Sequence, residues 1–257
     1  MSFSPEERER YARHILLKEI GGPGQQQLKA ATVAIVGMGG LGAPAALYLA
    51  AAGVGRLRLI DDDAVALSNL QRQVLYETRD IGEAKVARAA DRLTALNPAV
   101  TIEVVRDRLT ASNARGLFSS VDLVLDGTDD FVTRFAVNAA CHAAGLPLIS
   151  GAVGRWEGQV ATFKSGLTKG QPIRDRFPCY RCLVPEAPQD IETCAQVGVV
   201  GALTGVVGSM MALEAVKEIA AAGESLAGKV VIMDALTSTS RTILLKADPA
   251  CATCGHD

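Results

Sequence analysis

One stretch, Thr32–Asp63 (TVAIVGMGGLGAPAALYLAAAGVGRLRLIDDD), restricts this chain more than any other. It opens with an apolar β-type run, Val33–Val36, and passes through a glycine turn, Gly37-Met38-Gly39-Gly40-Leu41-Gly42. An Ala/Leu-rich helix follows to about Ala52, and a second β-type run, Leu57–Ile60, ends in Asp61. Strand, glycine turn, helix, strand and acid is the layout of a nucleotide-binding βαβ unit. The glycines let the backbone pass close to phosphates, and the free N–H groups at the helix start face the anion. Asp61 stands where a carboxylate accepts hydrogen bonds from ribose hydroxyls. A turn that only packs helix on strand would use similar glycines, but the flanking strands and the terminal acid favour a nucleotide. The unit leaves open which nucleotide, and what is done to it.

The remainder suits one compact α/β domain. The chain has 257 residues, 49% of them hydrophobic, and a net charge of −2, so no global basic field points to nucleic acid or a membrane surface. Two uncharged runs, Ala30–Gly55 and Val197–Leu213, are respectively interrupted by the glycine turn and short of the roughly 20 residues a span needs. They read as buried elements of a parallel sheet. The six cysteines are too few and too uneven for a disulfide scaffold, and the charged N-terminus has no signal-peptide core. A reducing, cytoplasmic setting is expected.

In chain order, the pattern predicts an amphipathic helix over Pro5–Leu17, a break at Gly21-Gly22-Pro23-Gly24 and a short helix at about Gln25–Lys29. Ser68-Asn69-Leu70-Gln71-Arg72-Gln73 reads as a polar loop or short helix near the strand ends, where open α/β sheets bind ligands. A helix over Ile81–Leu96, strands Thr101–Val105, Val121–Leu125 and Leu146–Ser150, and helices Ser112–Phe118 and Phe131–Ala144 complete a βα alternation, hence a doubly wound parallel sheet. Beyond Gly151 the character changes: an added strand at Gly158–Phe163, an exposed and mobile loop at Lys164–Pro178, a long helix at Val197–Ala222, and a hairpin from Val230–Met233 and Thr239–Leu245. The expected division is N-terminal helices (1–30), a nucleotide-binding core (31–150) and a distinct C-terminal part (151–257) of a single domain.

Three sets of residues carry chemistry. Cys179-x-x-Cys182 and Cys251-x-x-Cys254 are paired knuckles whose four thiolates suit a closed, structural, tetrahedral zinc site; a redox pair and unpaired thiols are the competing explanations. Arg72 and Lys85 offer a planar fork and a point charge, the two cation geometries a triphosphate uses. Asp126, Asp129 and Asp130 end a strand on the same sheet edge as the glycine turn, where carboxylates would hold Mg²⁺ against phosphate oxygens; capping of the next helix by Asp129 or Asp130 is compatible with this. Cys141, among alanines in a helix, reads as core, whereas Cys194 sits in a polar loop and is either inert or nucleophilic.

Taken in order, Arg10-Tyr11-x-Arg13, GxGGLG at 37–42, Asp61-x-Asp63, SNLQRQ at 68–73, Lys85, Thr128-Asp129, CxxC, Thr193-Cys194 and CxxC closely resemble the MoeB/ThiF adenylyltransferases, relatives of the ubiquitin-activating enzymes. The resemblance runs from about residue 5 to the end. It implies a Rossmann-like, mainly parallel sheet extended by C-terminal antiparallel strands. It also implies an enzyme that uses ATP and Mg²⁺ to adenylate the C-terminal Gly-Gly carboxylate of a small β-grasp sulfur carrier, of MoaD or ThiS type, in molybdopterin or thiamine biosynthesis. The ATP site would draw on Gly37, Gly39, Gly40, Gly42, Asp61, Asp63, Ser68, Asn69, Leu70, Gln71, Arg72, Gln73, Lys85, Asp129 and Asp130. Asp129 matches the family's magnesium-linked aspartate. Arg13 matches an arginine that reaches into a neighbouring subunit, which implies a homodimer. Cys194 matches a position that in some members links covalently to the carrier. The 151–257 part would bind the carrier, and the persulfide sulfur would come from a separate protein. Two positions depart from the pattern: Asp130 where Asn is common, and His14 where Gln is common. An NAD-dependent oxidoreductase, which has no need of SNLQRQ or Lys85, and a non-catalytic carrier-binding scaffold are the alternatives.

Overall fold

The computed structural model describes residues 3–187 and 198–256. The expected Cys194 site lies outside the described residues, as does Val197 at the start of the expected long helix. One eight-stranded sheet organises the molecule, in the order β3-β2-β1-β4-β5-β6-β7-β8. The parallel part comprises β1 (Thr32–Val36), β2 (Arg56–Ile60), β3 (Thr101–Val105), β4 (Leu123–Asp126) and β5 (Leu148–Gly154). The strand order turns back between β1 and β4, so a crevice opens at the carboxyl ends of those two strands. The antiparallel extension is β6 (Glu157–Phe163), β7 (Lys229–Asp234) and β8 (Thr239–Leu244).

Among the described residues the α-helices are α1 (Pro5–Arg10), α2 (Ala12–Ile15), α3 (Gly21–Ala30), α4 (Gly42–Ala52), α5 (Lys85–Leu96), α6 (Ala114–Leu117), α7 (Phe131–Ala144), α8 (Tyr180–Leu183) and α9 (Gly201–Ala220). Val33, Ile35, Leu57, Leu59 and Leu125 on the sheet meet Leu49 of α4, Val86 and Leu93 of α5 and Val207 and Met211 of α9 in one apolar core. The other face packs Val36, Val124 and Leu148 against Val137 and Cys141 of α7, and there Cys141 is a core residue as expected.

Several boundaries differ from the sequence pattern, each for a local reason. The first helix breaks at Tyr11, whose ring is drawn into the core: its hydroxyl accepts from Asn97 Nδ2 at 2.9 Å. Gly21-Gly22-Pro23-Gly24 starts a helix instead of ending one, because Pro23 occupies the first turn, where its missing N–H costs nothing. Helix α5 starts at Lys85, not Ile81, since a 3₁₀ turn at Thr78–Asp80 and the left-handed Gly82 precede it. The loop after β6 is partly tied down, with Ser165 buried against His142 Nδ1 (2.9 Å) and Lys164 paired with Glu218 at 2.5 Å.

Candidate functional site

The glycine turn leaves β1 at the crevice. A Cβ on Gly42, the first residue of α4, would lie 1.8 Å from the Gly37 carbonyl oxygen, so this turn closes only with glycine there. At the end of β2, Asp61 folds back onto the turn: its Oδ2 accepts from Met38 N at 2.6 Å and its Oδ1 from Asp63 N at 2.8 Å. Burial pushes the Asp61 carboxyl above its ordinary range, while Lys85 and these N–H groups pull it down. Lys85, at the start of α5, is buried and donates from Nζ to Asp63 Oδ2 at 2.7 Å.

These groups share a cavity of about 460 Å³, within the range of small-molecule sites. It brings together Gly37, Gly39, Gly40, Asp61, Asp63, Asn69, Arg72, Gln73, Lys85, Asp129 and Asp130, residues scattered over some ninety positions of sequence. Arg72 Nη1 donates to the Ser68 carbonyl at 2.9 Å, which fixes the arginine on its own turn. Four of the expected nucleotide residues, Gly42, Ser68, Leu70 and Gln71, do not line the cavity. Gly42 closes the turn, Ser68 anchors Arg72, Leu70 packs on the core, and a Cβ on Gly201 of α9 would lie 2.1 Å from the Gln71 carbonyl. Arg13 is exposed on α2 and lies outside this cavity.

The three aspartates at the end of β4 have separate fates. Asp126 is no free metal ligand: it is buried, accepts from Thr128 Oγ1 at 2.7 Å and Ser150 Oγ at 3.1 Å, and pairs with Arg134 at 3.7 Å. Asp130 is the cap of α7, accepting Thr133 N at 2.8 Å on Oδ1. Asp129 lines the cavity and is exposed, which leaves it available for a ligand.

The pattern of the sequence missed the rest of the lining. Asp107, Arg108 and Leu109 come from the end of β3, the neighbour of β2. That adjacency is legible once the strand order is known. Arg134 lies four residues beyond Asp130 on α7, a helical spacing that could have pointed to it. Ala152, Gln159, Tyr180 and Thr204 arrive from β5, β6, α8 and α9 and have no local signal.

Farther along α7, beside Asn138, Cys179, Cys182, Cys251 and Cys254 place their sulfurs within 4.8 Å of one another. The pairs Cys179–Cys251 and Cys182–Cys254 are each 3.5 Å apart, too far for a disulfide and close to the about 3.8 Å edge of a tetrahedron built on 2.3 Å Zn–S bonds. The four thiols fit a closed structural zinc site. Hydrogen bonds from Cys179 and Cys254 hold the Cys182 thiol far below its ordinary range, so thiolate character is already favoured at one corner.

A glycine turn, a carboxylate at the end of the next strand and two cations at the switch point of an open, mainly parallel sheet are the layout of a nucleotide-binding α/β protein. The chain belongs to the ThiF family, whose model matches residues 11–253. It is 44% identical to the sulfur carrier protein adenylyltransferase of Thermus thermophilus, over 100% of this chain and 94% of that one. It is also 44% identical to the molybdopterin-synthase adenylyltransferase of Escherichia coli, over 99% of each chain. Among solved structures, E. coli MccB with MccA-N7isoASN superposes with a TM-score of 0.80 at 21% identity, covering 99% of this chain and 76% of MccB, a likeness of fold alone.

Proposed function

We propose that this chain is an ATP-dependent adenylyltransferase that activates the C-terminal Gly-Gly carboxylate of a ubiquitin-like sulfur carrier of MoaD or ThiS type. The observation that carries this is the convergence of Arg72, Lys85 and Asp129 on the cavity of the glycine turn. The relatives' names, sulfur carrier protein adenylyltransferase and molybdopterin-synthase adenylyltransferase, support the same chemistry.

In this reading the ribose hydroxyls meet Asp61 and the phosphates lie over Gly39 and Gly40. The carrier's carboxylate attacks the α-phosphorus, the bond from that phosphorus to the bridging oxygen breaks, and pyrophosphate leaves with the electron pair. Two anions must approach each other. The protein's work is therefore to position them and to offset their charge, and no side-chain nucleophile is needed. Arg72 and Lys85 take the triphosphate oxygens. Lys85 is held by Asp63 at 2.7 Å, which keeps the ammonium at the pocket floor ahead of nucleotide binding. When bound, Mg²⁺ would neutralise phosphate charge, with Asp129 as its carboxylate ligand and Asp130 retained by its capping role. Zinc on the four cysteines would be structural. The 151–257 part would receive the carrier. Nothing in adenylation supplies sulfur, so a separate persulfide protein would follow.

A homodimer is supported by the outer face of α9, where Val206 (49% exposed) and Leu213 (59%) stand on the same helix that packs against α4, which itself exposes Tyr48 (60%). Arg13, exposed outside its own cavity, would then serve the partner's site. The deciding experiment is exchange of labelled pyrophosphate into ATP with purified MoaD-like and ThiS-like carriers in turn. A carrier-dependent signal is expected; no signal with any carrier would sink the assignment.

A further inference from the structure

Helix α7 carries Asp130 as its cap and Arg134, Asn138 and His142 at successive four-residue steps, a period that sets them along one face. The face runs from the nucleotide cavity to the cysteine cluster. Arg134 is buried. It donates to the Thr128 carbonyl and, from the same Nη2, to the Gly151 carbonyl at 2.7 Å; Nη1 reaches Ser150 Oγ at 3.2 Å and lies 3.7 Å from Asp126 Oδ2. Its guanidinium carbon stands 5.8 Å from the ring centre of Tyr180, between Cys179 and Cys182. One turn on, Asn138 donates from Nδ2 to Cys179 Sγ at 3.6 Å and accepts Tyr180 N at 2.8 Å.

A buried guanidinium is costly unless its charge and its donors are all met, and an apolar side chain would fill the same space at less cost. Here the donors are divided between two carbonyls, those of Thr128 after β4 and Gly151 within β5, and the Ser150 hydroxyl. One of the two carbonyls belongs to Thr128, the residue next to Asp129. We propose that Arg134 is a positioning residue for the nucleotide site: by pinning the Thr128 and Gly151 carbonyls together it sets where Asp129 presents its carboxylate. The rigid, planar guanidinium fixes the directions of its donors, whereas an ammonium on a flexible four-carbon stem has rotatable donors and fixes none of them. Tyr180 and Asn138 brace the helix from the cysteine side, so the fork acts from a fixed base. This inference rests on the role given to Asp129 above.

The test is calorimetric binding of a non-hydrolysable ATP analogue with and without Mg²⁺, together with zinc content, on Arg134→Lys and on the paired Asp126→Asn/Arg134→Gln variant. The pair leaves no unmatched buried charge, so it covers the case in which the lysine variant does not fold. Both should keep their zinc and their Mg²⁺-free affinity, lose most of the tightening that Mg²⁺ brings, and exchange pyrophosphate roughly tenfold to a hundredfold more slowly. A folded, zinc-loaded variant with the full Mg²⁺ effect and unchanged exchange would overturn the proposal. So would an equal loss of affinity with and without Mg²⁺, which would mark a collapsed pocket. A wild-type protein without Mg²⁺-dependent binding would remove the Asp129 role and the adenylation reading together, before any variant is compared.

Discussion

The two halves of the sheet are held by different means. In the parallel half, four of the five residues of β1 and all four of β4 are buried, with helices on both faces. Each Leu or Ile there contributes about 1.5–3 kcal/mol through removal from water. In the antiparallel half burial falls away outward: five of the seven residues of β6 are buried, only Val230 of β7 is, and all six of β8 are exposed. What fastens the two outer strands is the ladder from β6 through β8 and the clip of Cys179, Cys182, Cys251 and Cys254. The strands that open the crevice are thus held by burial on both faces, whereas the two outer strands are thin and fastened at their margin.

Asp129→Ala should reduce pyrophosphate exchange by about a thousandfold or more while zinc content stays unchanged. Exchange at the wild-type rate would take Asp129 out of the chemistry. Next, chelating the metal should open the cysteine region and the β7–β8 hairpin by on the order of 3–5 kcal/mol, read as lost amide protection there, while β1 and β4 stay protected. Uniform loss across the sheet would show that the halves are not fastened separately.

A smaller effect is expected at the seam between the halves. A Cβ on Gly208 of α9 would lie 2.5 Å from both the Leu41 carbonyl and Pro44 Cγ, so Gly208→Ala should cost about 1–3 kcal/mol in a denaturant midpoint. A neutral result would mean that α9 moves freely against α4.

The mildest test uses pH. Burial raises the Asp61 carboxyl in the folded chain above its ordinary 3.8, so the folded form holds this proton more readily than the unfolded form does. Ionising Asp61 therefore costs stability as pH rises from 3.8 through the raised value, and the cost is then constant. Asp61→Asn removes that slope, so the difference in stability between variant and wild type should move in favour of Asn over this window and level off above it. ATP affinity should fall about tenfold. A difference that stays flat across the window would contradict the burial argument.

The parallel half was legible because its signals are local. Apolar runs, the 37–42 turn and Asp61 lie within one βαβ unit, and the structure has the strand, helix and acid where the spacing put them. The four cysteines were legible through their matched spacing. The three aspartates after β4 could not be told apart, because their roles depend on Arg134 and on the cap of α7, both set by tertiary packing. The walls from Gln159, Tyr180 and Thr204 were invisible for the same reason: only the order of strands and the path of α9 bring them to the cavity. The split at Tyr11 reflects a buried ring whose partner, Asn97, is distant in sequence.

Helix α9 crosses directly behind the nucleotide turn: a Cβ on Gly40 would meet Thr204 at 3.2 Å, and Thr204 Oγ1 lies 3.3 Å from the Arg72 carbonyl. One wall thus serves two rooms. A side chain enlarged on either surface of that wall is felt on the other, and neither room can be remodelled alone. On the proposed function, a partner-facing surface in the 151–257 part would diversify at the outer strands before α9, where each new shape would have to be matched by a compensating change in the nucleotide turn.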